Sequence, residues 1–182
     1  MLEFNFHPFP VIESERLLLR RITNDDVNEV FELRSNPETM KYIPRPLVKN
    51  NDDALAHIEM IEEKINSNIG INWGITLKSD SKLLGIIGFY RIQPENYRAE
   101  IGYMLNPDFH GKGIIPEAVH LLIQYGFKDL KLHSIEAVID PENQASEKVL
   151  QKCGFVKEAH FKESEFWEGK FLDKVVYSLL NS

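Results

Sequence analysis

The stretch DFHGKGIIPEA, residues 108–118, sets two glycines around a lysine, then a proline, then a run of helix formers. A proline ring fits the first turn of a helix but not its interior, so Pro116 marks a helix start. Glu117 suits the positive end of a helix dipole. The stretch is a loop feeding a helix N-terminus. Gly111 and Gly113 let its backbone approach a ligand closely, and a helix N-terminus at that place favours an anion.

Working outward, INWGITL (71–77), KLLGIIGFYRI (82–92) and RAEIGYML (98–105) are strand-like. KSDS and QPENY join them, short enough for antiparallel hairpins. After the loop, PEAVHLLIQYGFKDL keeps its polar positions Glu117, His120, Gln124 and Lys128 three or four apart, which predicts a mostly buried helix. HSIEAVID is a strand, and NQASEKVLQK a short helix capped by Asn143 and stopped by Gly154. FVKEAHFKESEF, WEGK and FLDKVVYSLL follow as strand, turn and strand. Towards the N-terminus, RLLLRRIT (16–23) is a strand, and Asn24 and Asp25 cap the helix DVNEVFELRS. PETMKYIPRPL is a proline-broken loop. DDALAHIEMIEEKINS is a helix with Leu55, Ile58, Ile61 and Ile65 in one stripe. The expected order is β-α-α-β-β-β-α-β-α-β-β, a mixed α/β (α+β) fold in one domain, 1–182. Its strand–loop–helix–strand unit is a parallel crossover, which places a ligand beside strand carboxyl ends.

An apolar share of 43% and a charged share of 27% are ordinary for a globular domain. The single cysteine, Cys153, excludes an internal disulfide framework and suits a reducing cytoplasm. The start MLEFNFHPFPVIE lacks the pattern of a signal peptide, and no 18-residue apolar run predicts a membrane span. A net charge of −7 argues against nonspecific nucleic-acid binding. The expectation is a cytoplasmic protein, monomer or homodimer, with neither nucleic acid nor membrane as partner. The six histidines show no metal-ligand spacing, so no metal is expected.

A nucleotide-triphosphate loop needs GxxxxGK followed by Ser or Thr, but Gly113 follows Lys112 and the first glycine is missing. In a dinucleotide GxGxxG loop, Pro116 would occupy the place of the third glycine, obstructing helix–strand packing. Residues 108–113 instead resemble the Gln/Arg-x-x-Gly-x-Gly/Ala signature of the GNAT acetyltransferase superfamily, with Asp108 in place of the first residue. ENQASEKVLQKCGF (142–155) is similar to that family's second motif. The early ERLLLR, AEIGY and the W-x-G hairpin turn are closest to the ribosomal-protein N-terminal (serine/alanine) acetyltransferase subgroup. The resemblance implies a sheet splayed between the fourth and fifth strands of that order, with acetyl-CoA as co-substrate. Backbone groups of His110, Gly111, Lys112, Gly113, Ile114 and Ile115 would hold its pyrophosphate. Met104 and Leu105 would pair with the pantetheine arm, with Asn143 and Ser146 on the other side.

Acetyl transfer to an amine needs a neutral amine, a stabilised oxyanion and a proton for the leaving thiolate. Neutralising an α-amine of pKa ~8 at pH 7 costs about 1 kcal/mol, against about 4.6 kcal/mol for a lysine at ~10.4. The resemblance implies Glu165 as base and Ser146 as the acid or thiolate-binding group. Leu150 stands where many of the family carry a tyrosine. Glu100 is the alternative base, because a carboxylate within the apolar RAEIGYML must face a partner, water or a cleft. Cys153 is expected to pack rather than to react. Trp73, Tyr42 and Trp167 are candidates to line the acceptor cleft. The acceptor is expected to be a primary amine, on a protein N-terminus or a small molecule such as a polyamine, antibiotic or amino acid; the alternative is a binding protein that keeps acyl-CoA without transfer.

Overall fold

The apolar runs flanking the glycine loop form the middle of one eight-stranded sheet in the computed structural model, which describes residues 1–181. In chain order the elements are β1 (Ile12–Glu13), β2 (Leu17–Arg20), α1 (Val27–Ser35), α2 (Asn51–Asn66), β3 (Ile71–Leu77), β4 (Asp80–Gln93), β5 (Arg98–Leu105), α3 (Ile114–Lys128), β6 (Ser134–Ile139), α4 (Gln144–Lys152), β7 (Val156–Trp167) and β8 (Lys170–Leu180). The expected order is met, with the two-residue β1 added in front. Across the sheet the order is β1-β2-β3-β4-β5-β6-β8-β7. Every pairing is antiparallel except β5 with β6, the pair joined through the α3 crossover.

That parallel pairing is short. Arg98, Ala99 and Glu100 pair with Ser134, Ile135 and Glu136, after which the two strands part from each other, β5 staying paired with β4 to Leu105 and β6 with β8 to Ile139. The sheet forks where sequence resemblance places the splay. Beside the fork, the β4–β5 register shifts between Phe89 and Arg91, leaving Tyr90 as an extra residue. Such a bulge bends its strand and increases the local twist, which helps to part β5 from β6.

Strand alternation assigns the two faces. Trp73 and Phe89 pack towards α3, with Trp73 edge-on to Tyr125 and Phe89 touching the position of Gly126. Asn72 and Tyr90 turn to the opposite face, beside Arg34 of α1. Trp73 is 0% exposed and donates from Nε1 to the Pro10 carbonyl at 2.6 Å, so it is a core residue and not a wall of the cleft. Tyr42 and Trp167 remain half-buried. The first helix also starts differently from expectation. A 3₁₀ turn, Asn24–Asp26, precedes it, with Thr23 as its cap. Asp26 accepts the Thr23 N–H at 2.8 Å while Arg20 grips the same carboxylate at 2.7 and 2.9 Å. A bidentate arginine fixes Asp26, which stands as the N-cap of α1, one residue after the expected Asp25. On α2 the buried stripe runs through Ala54, Ile58, Ile61 and Ile65, with Leu55 half-buried.

On α2, His57 is half-buried. Burial, then Arg34 and Lys64, lower its pKa to about 4. An unfolded histidine titrates near ~6.5. Between those values the unfolded chain takes up a proton that the folded chain refuses, so this contribution is complete above ~6.5 and is lost as pH falls towards 4. Urea unfolding at pH 7 and pH 5 is expected to show a smaller stability loss for His57→Gln than for the wild type. Equal losses would place His57 outside this linkage.

Candidate active site

The glycine loop runs from the end of β5 to the start of α3. Asn106 closes its first turn by accepting the Asp108 N–H at 3.0 Å. The His110 ring donates from Nε2 to the Leu105 carbonyl at 3.1 Å, tying the loop back to β5. Gly111 and Gly113 stand at φ +73° and +72°, a region that side-chain-bearing residues rarely adopt. A Cβ on Gly111 would meet nothing within 4 Å. Between these bends, the backbone N–H groups from Gly111 to Ile115 find no acceptor among the described residues. A row of free donors around left-handed glycines at a helix N-terminus is an anion cradle.

Arg16 completes the cradle, and the sequence alone does not single it out. Its Nη2 donates to the Lys112 carbonyl at 2.9 Å and its Nε to Glu117 at 2.6 Å, while Ser14 donates to the same carboxylate. The guanidinium lies 3.4 Å from where a Cβ of Gly113 would be. Its only sequence signal is membership of ERLLLR. The loop therefore fits a diphosphate, with Lys112 supplying positive charge and Arg16, paired to Glu117, holding the loop backbone in place. The pantetheine contacts implied for Met104 and Leu105 fall where β5 pairs with β4 alone, and its edge towards β6 is free to accept an extended amide chain.

On the α4 side of the fork, Asn143 caps the helix by accepting the Ser146 N–H at 3.1 Å. Ser146, 7% exposed, shares a 2.7 Å hydrogen bond with the Tyr103 hydroxyl. Burial pushes the Tyr103 hydroxyl up to about 12. Strand alternation puts Tyr103 on a face of β5 without giving it a role; the pairing with Ser146 does. Leu150, in the helix, is fully buried.

On the opposite face lie the two carboxylates. Glu100 ends the β5–β6 pairing, 3.8 Å from Arg91, and burial raises its pKa more than Arg91 lowers it. Glu165, on β7, pairs with Lys174 at 2.8 Å and Arg45 at 3.8 Å. Lys174 and Arg45 both also act on Glu100, so the two carboxylates share one neighbourhood. Their side chains are 22% and 24% exposed. Cys153 packs against His120 and the Pro116 carbonyl, and burial raises its thiol pKa, which leaves it a poor nucleophile. Two open hollows, one between Pro10–Glu13 and α3 and one beside Arg20–Asp26, lie away from the fork and hold none of this chemistry. Among the described residues no cluster of His, Cys, Asp or Glu could hold a metal, and no helix is long and apolar enough to cross a membrane.

Comparison with known proteins agrees with this fold. Residues 16–156 match the family described as "Acetyltransferase (GNAT) domain". The chain is 34% identical to the uncharacterized N-acetyltransferase YoaA of Bacillus subtilis over 94% of its own length and 97% of that protein's. It superposes on a GNAT-family acetyltransferase from Bacillus anthracis with a TM-score of 0.83 at 32% identity, covering 94% and 98% of the two chains. The microcin C7 self-immunity acetyltransferase MccE, solved with acetyl-CoA and AMP, gives a TM-score of 0.84 at 26% identity over 92% and 94%.

Proposed function

The chain belongs to the GNAT family of acetyl-CoA-dependent N-acetyltransferases, and on that footing we propose that it moves acetyl directly to a primary amine, the α-amine of a protein or peptide N-terminus foremost. The observation that carries the reading is the fork. One face of it presents hydroxyls for a thiol, the other presents carboxylates for an amine, and the free N–H row lies at its mouth. Acetyl-CoA supplies an activated thioester; the chain supplies position and proton movement.

In this reading the N–H groups of Gly111–Ile115, with Lys112, hold the diphosphate, and Arg16 holds the loop backbone in place. Met104, Leu105, Asn143 and Ser146 fix the arm in the fork. Glu100 takes the proton of the incoming ammonium. Its raised pKa supports that role over Glu165, whose carboxylate is already engaged by Lys174 and Arg45 and which we assign to attracting and orienting the ammonium. Ser146, backed by the protonated Tyr103 hydroxyl, gives a proton to the departing sulfur. A low-pKa α-amine suits a carboxylate base better than lysine does, by about 3.3 kcal/mol of deprotonation cost at pH 7.

Incubating the protein with acetyl-CoA and a panel of α-amino peptides, amino acids and polyamines tests the reading. Thiol release that depends on the amine, equimolar with acetylated amine by mass spectrometry, is expected. Tight acetyl-CoA binding with no acetylated product from any amine would make the chain a binding protein.

A further inference from the structure

One corner of the acceptor face is cationic, and its buried guanidinium nitrogen finds no acceptor among the described residues. Arg34 Nε is buried without a hydrogen bond. Burial is the main force lowering the pKa of its guanidinium; Tyr90 alone favours its charge, while Arg45 opposes it. Asn72, 2% exposed, has its buried Nδ2 beside the Tyr90 side chain, with no hydrogen bond of good geometry among the described residues. It lies across Gly88, where a Cβ would meet Nδ2 at 2.7 Å, and the Tyr90 ring lies across Gly102, also at 2.7 Å. Gly88 and Gly102 are register partners on β4 and β5, so two adjacent positions without side chains let Asn72 and Tyr90 lie low on the sheet next to Arg34. His57, the other titratable neighbour of Arg34, is neutral above about pH 4 and brings no negative charge.

A guanidinium beside a second arginine and a poorly paired amide donor is costly to bury, and is kept where an acceptor compensates it. We propose that Arg34, Asn72 and Tyr90 recognise an oxyanion, carboxylate or phosphate, carried by the amine acceptor itself; the inference rests on the amine-transfer reading above. Arg45 links the two ends of the site, because it acts on Arg34, pairs with Glu165 at 3.8 Å and acts on Glu100. The cleft is thus dipolar. The ammonium of the acceptor meets Glu100 and Glu165, and its oxyanion meets the planar fork of Arg34, which suits carboxylate or phosphate in two-pronged contact. A polyamine offers no oxyanion and sets a cation against Arg34.

The test uses free-amine peptides in matched pairs, Glu against Gln and phosphoserine against serine at the second and third positions, with spermidine alongside. The wild type is expected to prefer the anionic member of at least one pair by tenfold or more in kcat/KM, and the winning pair tells carboxylate from phosphate. Arg34→Gln brings that ratio towards one, and Arg34→Lys restores part of it. Equal rates within every pair, or a ratio that survives Arg34→Gln, overturn the inference. NMR titration with inorganic phosphate and with acetate reads the same site without turnover. The Asn72 side-chain amide and Arg34 Nε–H signals shift in the wild type, and the Asn72 shift is lost in Arg34→Gln. Turnover without these shifts counts against the oxyanion site alone, whereas shifts without any acetylated amine count against the amine-transfer reading.

Discussion

Gly111→Val is expected to weaken acetyl-CoA binding by roughly 10–100-fold while the protein stays folded. The magnitude is that of losing one hydrogen bond to a charged group, about 1.5–3 kcal/mol. The residue stands at φ +73° and a Cβ there meets nothing within 4 Å, so the substitution creates no clash inside the protein. What it brings is backbone strain of about 1–2 kcal/mol and a branched side chain in the open space over the cradle. Relief of the strain turns the free N–H row away from its common focus. Calorimetry with acetyl-CoA, beside circular dichroism of the variant, checks it; a folded variant with unchanged affinity would remove the loop from the site.

The second large effect concerns the carboxylates. Glu100→Gln keeps size and polarity but cannot take a proton. Its expected cost near pH 6.5 is a rate loss of roughly 10²–10⁴-fold, the range for general acid–base help. The loss shrinks as pH rises past the pKa of the amine, because more acceptor arrives neutral. In the wild type the rising limb of the pH–rate profile follows deprotonation of Glu100, and burial moves that limb up from the usual glutamate value. Glu165→Gln is expected to act more on KM than on kcat, since its carboxylate is engaged by Lys174 and Arg45. Acetyl-CoA affinity stays near wild type in both. If Glu165→Gln shows the large kcat loss and Glu100→Gln does not, the base is on β7.

The order of elements and the fork's position were readable because they rest on local signals. Paired glycines before Pro116, strands joined by short turns, and a capping Asn143 each act within a few residues. Corrections arose where distant groups decide. Trp73 has the composition of a cleft residue, but the Pro10 carbonyl and three aromatic neighbours claim it for the core. Phe6 lies in the core although MLEFNFHPFP has no period to announce it. Arg16, Tyr103 and Arg34 escape notice for one reason: each matters through a residue far away in sequence. Arg16 reaches Lys112 and Glu117, Tyr103 reaches Ser146, and Arg34 is defined by a missing partner. Glu100 was legible as a charge in an apolar strand, but its raised pKa depends on burial that only the assembled sheet creates.

Amide hydrogen exchange with and without acetyl-CoA tests most directly whether the fork and its loop are the cofactor site. Protection is predicted in peptides covering 102–106 and 110–115, while β7 stays unchanged. Acetyl-CoA binding that leaves both of those segments unprotected would contradict the assignment.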